Sequence, residues 1–127
     1  MAKSGEVLDI PELGIRIRFL QTAAETGGEL AQFEASGRPR GFLNQEHVHA
    51  GQTELLEPLT GAIEVVAGGE TTVLHPGDAR EIPAGTPHTQ RPIGDGDGTL
   101  RITVRPAARS EEFLEKLAEL SRDGRLL

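Results

Sequence analysis

The chain has 127 residues and a formal net charge of −7, with 13 Lys and Arg against 20 Asp and Glu. That length predicts one domain, 1–127, and an acidic chain without a visible basic patch is a poor candidate for binding nucleic acid or an anionic membrane. The absence of cysteine excludes disulfides, thiolate nucleophiles and cysteine-ligated zinc. No apolar N-terminal stretch resembles a signal peptide or a membrane span, so we expect a cytoplasmic protein.

Turn-forming residues and short alternating stretches predict a β-rich fold. The 16 Gly and 8 Pro imply many turns and favour an all-β sandwich or barrel. The first two predicted strands, 14–20 and 29–35, alternate apolar and polar residues, and the segment 36–46 is predicted to be a loop. Six further strands are predicted at 53–59, 62–68, 70–75, 79–85, 87–93 and 99–106.

Two glycine-containing turns separate some of these strands. The Gly68-Gly69 pair predicts a hairpin between its flanking strands. The sequence GDGDG at 94–98 is predicted to be a second hairpin loop, because the remaining ligands of an EF-hand calcium loop are missing.

The C-terminal segment changes to a helical pattern at about 110–123. Ser110 is predicted to cap its N-terminus and Gly124 to end it. We expect an amphipathic helix that packs on the barrel or on a partner subunit. The apolar residues predicted to share its buried face are Phe113, Leu114, Leu117 and Leu120.

The sequence HVHAGQTE at 47–54 combines two histidines and a carboxylate. On a strand, His47 and His49 project to the same face, and the glycine in AGQT is consistent with a turn that returns Glu54 beside them. Such groups converging inside an apolar barrel need a partner, which a divalent metal supplies. The HxH pair taken alone is equally consistent with a surface or hydrogen-bonded pair.

The wider sequence resembles the cupin superfamily, in particular small single-domain bacterial members of the cupin_2 or quercetin-dioxygenase-like kind. Residues 41–61 satisfy every fixed position of the first cupin motif, G(x)5HxH(x)3–4E(x)6G. Residues 77–92 satisfy the second, G(x)5PxG(x)2H(x)3N, except that Pro92 replaces the usual Asn. The 15 residues between the motifs match the short spacing of bacterial single-domain members.

The resemblance implies a double-stranded β-helix, or jelly-roll barrel, with a C-terminal α-helix. It also implies one divalent transition metal held by His47, His49, Glu54 and His88, all of which are present. These nitrogen and oxygen ligands are compatible with Fe, Mn, Ni, Co, Cu or Zn. Relatives commonly pair their sheets, so a homodimer is expected.

Strand alternation adds candidates around the predicted site. Gln90, two residues after His88, should share its direction and is a candidate for orienting a substrate, with a water-bound role rated equally. Gln52 lies in the metal-side turn, where a backbone-capping role is favoured over ligand contact.

Four other positions around the predicted site follow from the same alternation or from local turns. Leu56 and Pro58 should point inward with a strand irregularity at the proline, and His75 in its turn should be exposed. One of Arg80 and Glu81 should face the interior, where a buried charge needs a partner, and that partner could be the substrate.

Two functions remain open on these residues. The first is a metalloenzyme acting on an enolisable or anionic oxygen-donor substrate, with dioxygenase-like, isomerase and lyase chemistry all allowed. The second is a non-catalytic module that binds a metal or a small ligand. The enzyme is placed ahead of the module, and the four intact ligands argue against a third possibility, a purely structural cupin.

Overall fold

The computed structural model describes residues 2–41, 45–94 and 96–126, and in this part of the chain nine strands form two antiparallel sheets. The larger sheet has the order β1-β2-β3-β9-β4-β7, and the smaller has the order β6-β5-β8. The strands are β1 (Val7–Ile10), β2 (Ile15–Gln21), β3 (Ala31–Gly37), β4 (Thr53–Thr60), β5 (Ile63–Ala67), β6 (Glu70–Leu74), β7 (Arg80–Ile82), β8 (His88–Pro92) and β9 (Gly98–Arg105). The helices are α1 (Ala23–Thr26) and α2 (Ser110–Arg122).

The predicted jelly-roll barrel with a C-terminal helix is confirmed. Every predicted strand is present, although the one predicted at 79–85 is only three residues long, as β7. Strand β1 and the short helix α1 were not predicted, because four-residue elements carry little periodic signal. Of the predicted loop at 36–46, residues 42–44 lie outside the described residues.

The core lies between the two sheets and is built by strand alternation. In β2, Ile17 and Phe19 are completely buried, while Arg16 and Arg18 face outward. Side chains from both sheets meet in one cluster, which closes the barrel. Its larger members are Ile10, Leu13, Ile17, Phe19, Phe33, Leu56, Val65, Leu74, Ile82, Ile102 and Val104.

Of the two predicted hairpin loops, the one at Gly68-Gly69 is confirmed and the one at 94–98 is wrong. Gly68 and Gly69 join β5 to β6 with both φ angles positive, the conformation of a tight hairpin turn. The GDGDG segment does not form a hairpin loop, because β8 pairs with β5 in the small sheet and β9 lies between β3 and β4 in the large one. The segment carries the chain from one sheet to the other, and Asp95 within it lies outside the described residues.

Helix α2 packs on β1 and the turn at 11–13 with a face that includes Leu114 and Leu117 of the predicted set but not Phe113. Leu117, Ala118 and Ser121 are buried, whereas Phe113 is 57% exposed. Polar contacts set the rotation of α2 about its axis, and a hydropathy pattern does not reveal them. The Ser121 hydroxyl accepts a hydrogen bond from the Glu12 backbone N–H at 3.1 Å. Among the described residues, no helix combines the length and apolar character needed to cross a membrane.

The ends of α2 were predicted with mixed success. The N-cap position falls on Arg109, without a side-chain capping bond, so the prediction of Ser110 as the cap was wrong. Gly124 ends the helix as predicted, with a φ of 70° and a bond from its N–H to the Ser121 carbonyl at 3.1 Å.

Leu55 and Leu56 provide a matched test of the barrel interior, because they are adjacent on β4 and face opposite sides. Leu56 is completely buried, whereas Leu55 is only partly covered. We expect Leu56→Ala to lower the free energy of unfolding by ~2–5 kcal/mol, and Leu55→Ala to lower it by less than ~1 kcal/mol. Denaturant unfolding measures both values, and equal losses would contradict the assigned strand register.

Candidate metal centre

Backbone hydrogen bonds alone hold the two cupin motifs side by side. The His47 N–H donates to the His88 carbonyl at 3.0 Å, and the His88 N–H donates to the His47 carbonyl at 2.9 Å. The Gly85 N–H donates to the His49 carbonyl at 2.9 Å. The segment carrying the HxH pair therefore runs antiparallel beside the start of β8.

Glu54 completes the group from β4, after the predicted turn at residues 50 and 51. The ligand atoms of His47, His49, Glu54 and His88 all lie within 4.8 Å of one another. The Nε2 atom of His88 is 3.1 Å from Oε1 of Glu54, and Nε2 of His49 is 3.5 Å from Oε2. One carboxylate thus contacts imidazoles from two separate segments.

Backbone carbonyls orient two of the imidazoles by bonding to their Nδ1 atoms. Nδ1 of His47 lies 3.1 Å from the Gln45 carbonyl, and Nδ1 of His88 lies 3.0 Å from the Thr86 carbonyl. A carbonyl only accepts, so each Nδ1 carries the hydrogen and each neutral ring keeps its lone pair on Nε2. A backbone carbonyl on the outer ring nitrogen is the usual support of a metal-binding histidine.

The histidines of the group differ in burial, and the pKa values of His88 and His49 shift in opposite directions. His88 is 1% exposed and Glu54 is 5% exposed, whereas His47 and His49 are half-buried. Burial and the charge of Arg80 act to lower the pKa of His88, but its hydrogen bonds with Glu54 and Thr86 and the carboxylate charge raise it overall. Burial lowers the pKa of His49, and its histidine neighbours add to this against the pull of Glu54.

These residues fit a divalent transition metal. Three imidazole nitrogens and one carboxylate form a donor set without sulfur, which suits Fe, Mn, Ni, Co, Cu or Zn. A buried carboxylate among imidazoles is also costly unless a cation or a proton compensates it. The four residues predicted from the cupin motifs could therefore hold one such ion.

Other predicted residues lie around the group. Gln90 shares the inner face with His88, as predicted, and its Oε1 atom is buried without a hydrogen-bond partner. His75 is exposed as predicted and lies 3.7 Å from Asp78. Leu56 and Pro58 are buried, and the register with β9 shifts just after Pro58, which confirms the predicted irregularity.

Gln52 has the capping role that was favoured over ligand contact. Its Nε2 atom donates to the carbonyls of Pro106 and Ala107 at 2.9 and 3.0 Å, and to the Ser110 hydroxyl at 2.8 Å. The turn between His49 and Glu54 is thereby fastened to the start of α2. Local sequence could not predict this contact, because its partners are more than 50 residues away.

Of Arg80 and Glu81, the two candidates for a charged residue that faces the interior, Arg80 is the one that does so. Glu81 is exposed, while Arg80 is half-buried and pairs with Leu56 on the inner face. The sequence held a signal for this: Ile82 is apolar, and a residue two positions away shares its direction on a strand.

The sequence model of the Cupin_2 family, described as the cupin domain, matches residues 36–104 and thus includes all four candidate ligands. The chain belongs to this cupin family. No curated protein matches the chain.

Three solved structures share this cupin fold. KdgF from Halomonas sp. is 24% identical, with a TM-score of 0.69 over 84% of this chain and 92% of that one. An RmlC-like cupin from Shewanella frigidimarina is 21% identical, with a TM-score of 0.67 over 87% and 92%. The Cupin_2 domain of an XRE family transcriptional regulator from Enterobacter cloacae is 17% identical, with a TM-score of 0.60 over 72% and 96%.

The raised pKa of His88 predicts proton competition with metal binding. In the metal-free chain His88 stays protonated above the ordinary imidazole pKa of ~6.5, whereas the lowered pKa of His49 leaves that ring neutral there. We expect metal affinity to rise about tenfold per pH unit through and beyond ~6.5 and to level off above the pKa of His88. Competition titrations with a chromophoric chelator measure this profile.

The matched control for the pH profile is His75→Ala, which removes an exposed histidine outside the group. Its profile should follow that of the unaltered chain. An affinity independent of pH between ~6 and ~8 would contradict a protonated His88.

Proposed function

We propose that this cupin binds one divalent transition metal through His47, His49, Glu54 and His88 and is a small-molecule metalloenzyme of dioxygenase-like type. The observation that carries the proposal is the convergence of these donors, with Nδ1 of His47 and of His88 bonded to backbone carbonyls. A metal bound there supplies Lewis-acid chemistry and, where it is redox-active, chemistry with dioxygen.

The substrate class follows from the charges of the centre. One carboxylate, Glu54, would offset only part of the charge of a divalent ion, and the charge of Arg80 also acts on this group through His88, so positive charge would remain for an anionic or enolisable oxygen donor. The neighbouring inner-face residues Leu56 and Ile82 are apolar and buried, and they exclude water from this side of the centre. Gln90 then orients the substrate through its amide.

The alternative is a cupin that binds a metal or small ligand without catalysis. The Cupin_2 domain of the XRE family regulator supports it, because a similar fold serves there within a transcriptional regulator. The two candidates share the metal centre and differ in turnover, so one set of samples addresses both.

Elemental analysis of untagged protein, purified without added metal, tests the centre. We expect near-stoichiometric Fe, Mn, Ni, Co, Cu or Zn in the unaltered chain. His49→Ala should weaken metal binding by at least ~100-fold, since even outer partners of metal ligands are worth ~10–100-fold. The control His75→Ala should keep its metal.

Oxygen consumption with small enolisable acids then separates the enzyme from the binding module. Turnover that is lost in His49→Ala supports the enzyme, and tight ligand binding without turnover supports the module. A chain that holds no metal and takes none up on titration contradicts both.

We also propose a homodimer through the outer face of the large sheet. Arg18, Glu34, Arg101 and Glu57 lie side by side across four strands with alternating charge. A twofold axis parallel to the strands places Arg18 of one copy opposite Glu57 of the other, and Glu34 opposite Arg101, so the row is self-complementary.

Sedimentation at micromolar concentration tests the dimer. Arg101→Glu should shift the population toward monomer, whereas Arg125→Glu, at the end of the chain, should not. A monomer at every concentration for the unaltered chain rejects this interface.

A further inference from the structure

Arg80 reaches into the barrel from the strand beside Glu54. It pairs with Leu56, which is completely buried, and lies two residues before Ile82, which pairs with Glu54. Paired residues of neighbouring strands share a face, so Arg80 and Glu54 project to the same interior.

Neutral groups hold the guanidinium in place. Nη1 of Arg80 donates to the Thr72 hydroxyl at 2.6 Å and to the Val65 carbonyl at 3.4 Å. Nη2 donates to the Ala67 carbonyl at 3.2 Å. These acceptors fix the position of the guanidinium but carry no formal charge, so its positive charge is not neutralised.

Arg80 differs in this respect from most arginines of the described chain. No described carboxylate lies within ion-pair distance of it, and its Nε makes no hydrogen bond there. Six other arginines each pair with a described acid: Arg16, Arg18, Arg101, Arg105, Arg109 and Arg125. The half-buried arginine beside the candidate centre is thus one whose charge has no acidic partner.

The guanidinium lies along the same part of the small sheet as the centre. Its acceptor residue Ala67 is the register partner of His88, and its acceptor residue Val65 is the partner of Gln90. Gln90 contributes the second unused polar group, because its Oε1 atom is buried without a donor. A buried amide oxygen left unpaired is destabilising, and a ligand hydroxyl that donates to it would remove that cost.

We infer that Arg80 and Gln90 form a subsite beside the candidate metal centre that selects small hydroxycarboxylates. The guanidinium of Arg80 faces the carboxylate of the ligand, and the Gln90 amide oxygen accepts a hydrogen bond from its hydroxyl. This inference rests on the proposed metal-dependent function and assigns the substrate class of that site. A guanidinium suits a carboxylate because its N–H groups match the two oxygens in geometry as well as charge.

The test uses the full chain loaded with Co²⁺ and three small probes: glycolate, acetate and glycolamide. Ligand binding is followed through the visible spectrum of Co²⁺ and by calorimetry. We expect glycolate to bind at least about tenfold more tightly than acetate, which lacks the hydroxyl, and than glycolamide, which lacks the charge.

Three variants assign these preferences to residues. Arg80→Gln should reduce the preference for glycolate over glycolamide, and Gln90→Leu should reduce the preference for glycolate over acetate, each leaving the part of the preference that Co²⁺ itself provides. Arg125→Gln, which removes an exposed arginine paired with Asp123 away from the candidate centre, is the matched control and should leave both preferences unchanged. Co²⁺ uptake is measured for each chain first.

The possible failures are distinguishable. Normal Co²⁺ uptake with both preferences unchanged in Arg80→Gln and Gln90→Leu overturns this inference alone. An unaltered chain that takes up no Co²⁺ overturns the proposed function and the inference with it. Should Arg80→Gln not fold, a crystal structure of the unaltered chain with Co²⁺ and glycolate decides: a carboxylate bonded to Arg80 supports the subsite, and one bonded elsewhere overturns it.

Discussion

The site depends on the contact between the Glu54 carboxylate and the His88 imidazole, both almost completely buried and 3.1 Å apart. Neither group is tolerated alone in an apolar barrel, since an unpaired buried charge or polar atom costs several kcal/mol. Glu54 comes from β4 in the large sheet and His88 from β8 in the small one. Their contact therefore links the two sheets, and the lone pair that a proton takes in the metal-free chain is the one that a metal requires.

The surrounding structure keeps this contact in place through the backbone. Reciprocal bonds between His47 and His88 join the two motifs, so the spacing of the imidazoles does not depend on flexible side chains. Gln52 fastens the intervening turn to the start of α2. Through this glutamine, the packing of a helix on the outside of the barrel stabilises the chain segment that carries His49 and Glu54. The ligand segment is accordingly held at both ends although it contains little regular strand.

Sequence predicted the strands because alternation is a short-range pattern, and the resemblance to the two cupin motifs supplied the full set of four candidate ligands, including the distant His88. Alternation places Leu56 and Gln90 on the inner face, and the HxH spacing places two imidazoles together. The errors came from contacts between distant parts of the chain. Phe113 is exposed because polar anchors such as Ser121 set the rotation of α2, and the GDGDG loop joins two sheets because β9 pairs with β3 and β4 rather than with β8. Neither the Ser121 contact nor the pairing of β9 produces a recognisable pattern in the neighbouring sequence.

Arg80 connects the packing of the barrel with the proposed ligand subsite. Its guanidinium bonds carbonyls of β5 and the Thr72 hydroxyl of β6, so it connects β7 to the edge of the small sheet. An acid at Thr72 would bind the guanidinium more strongly, yet it would also cancel the positive charge that acts on His88. Neutral acceptors give up that ion-pair energy and leave a fixed charge facing the interior, which needs no reorganisation when an anion arrives. In the proposed subsite, the hydroxyl and the carbonyls around Arg80 hold the guanidinium in place without neutralising the charge that would bind an anion.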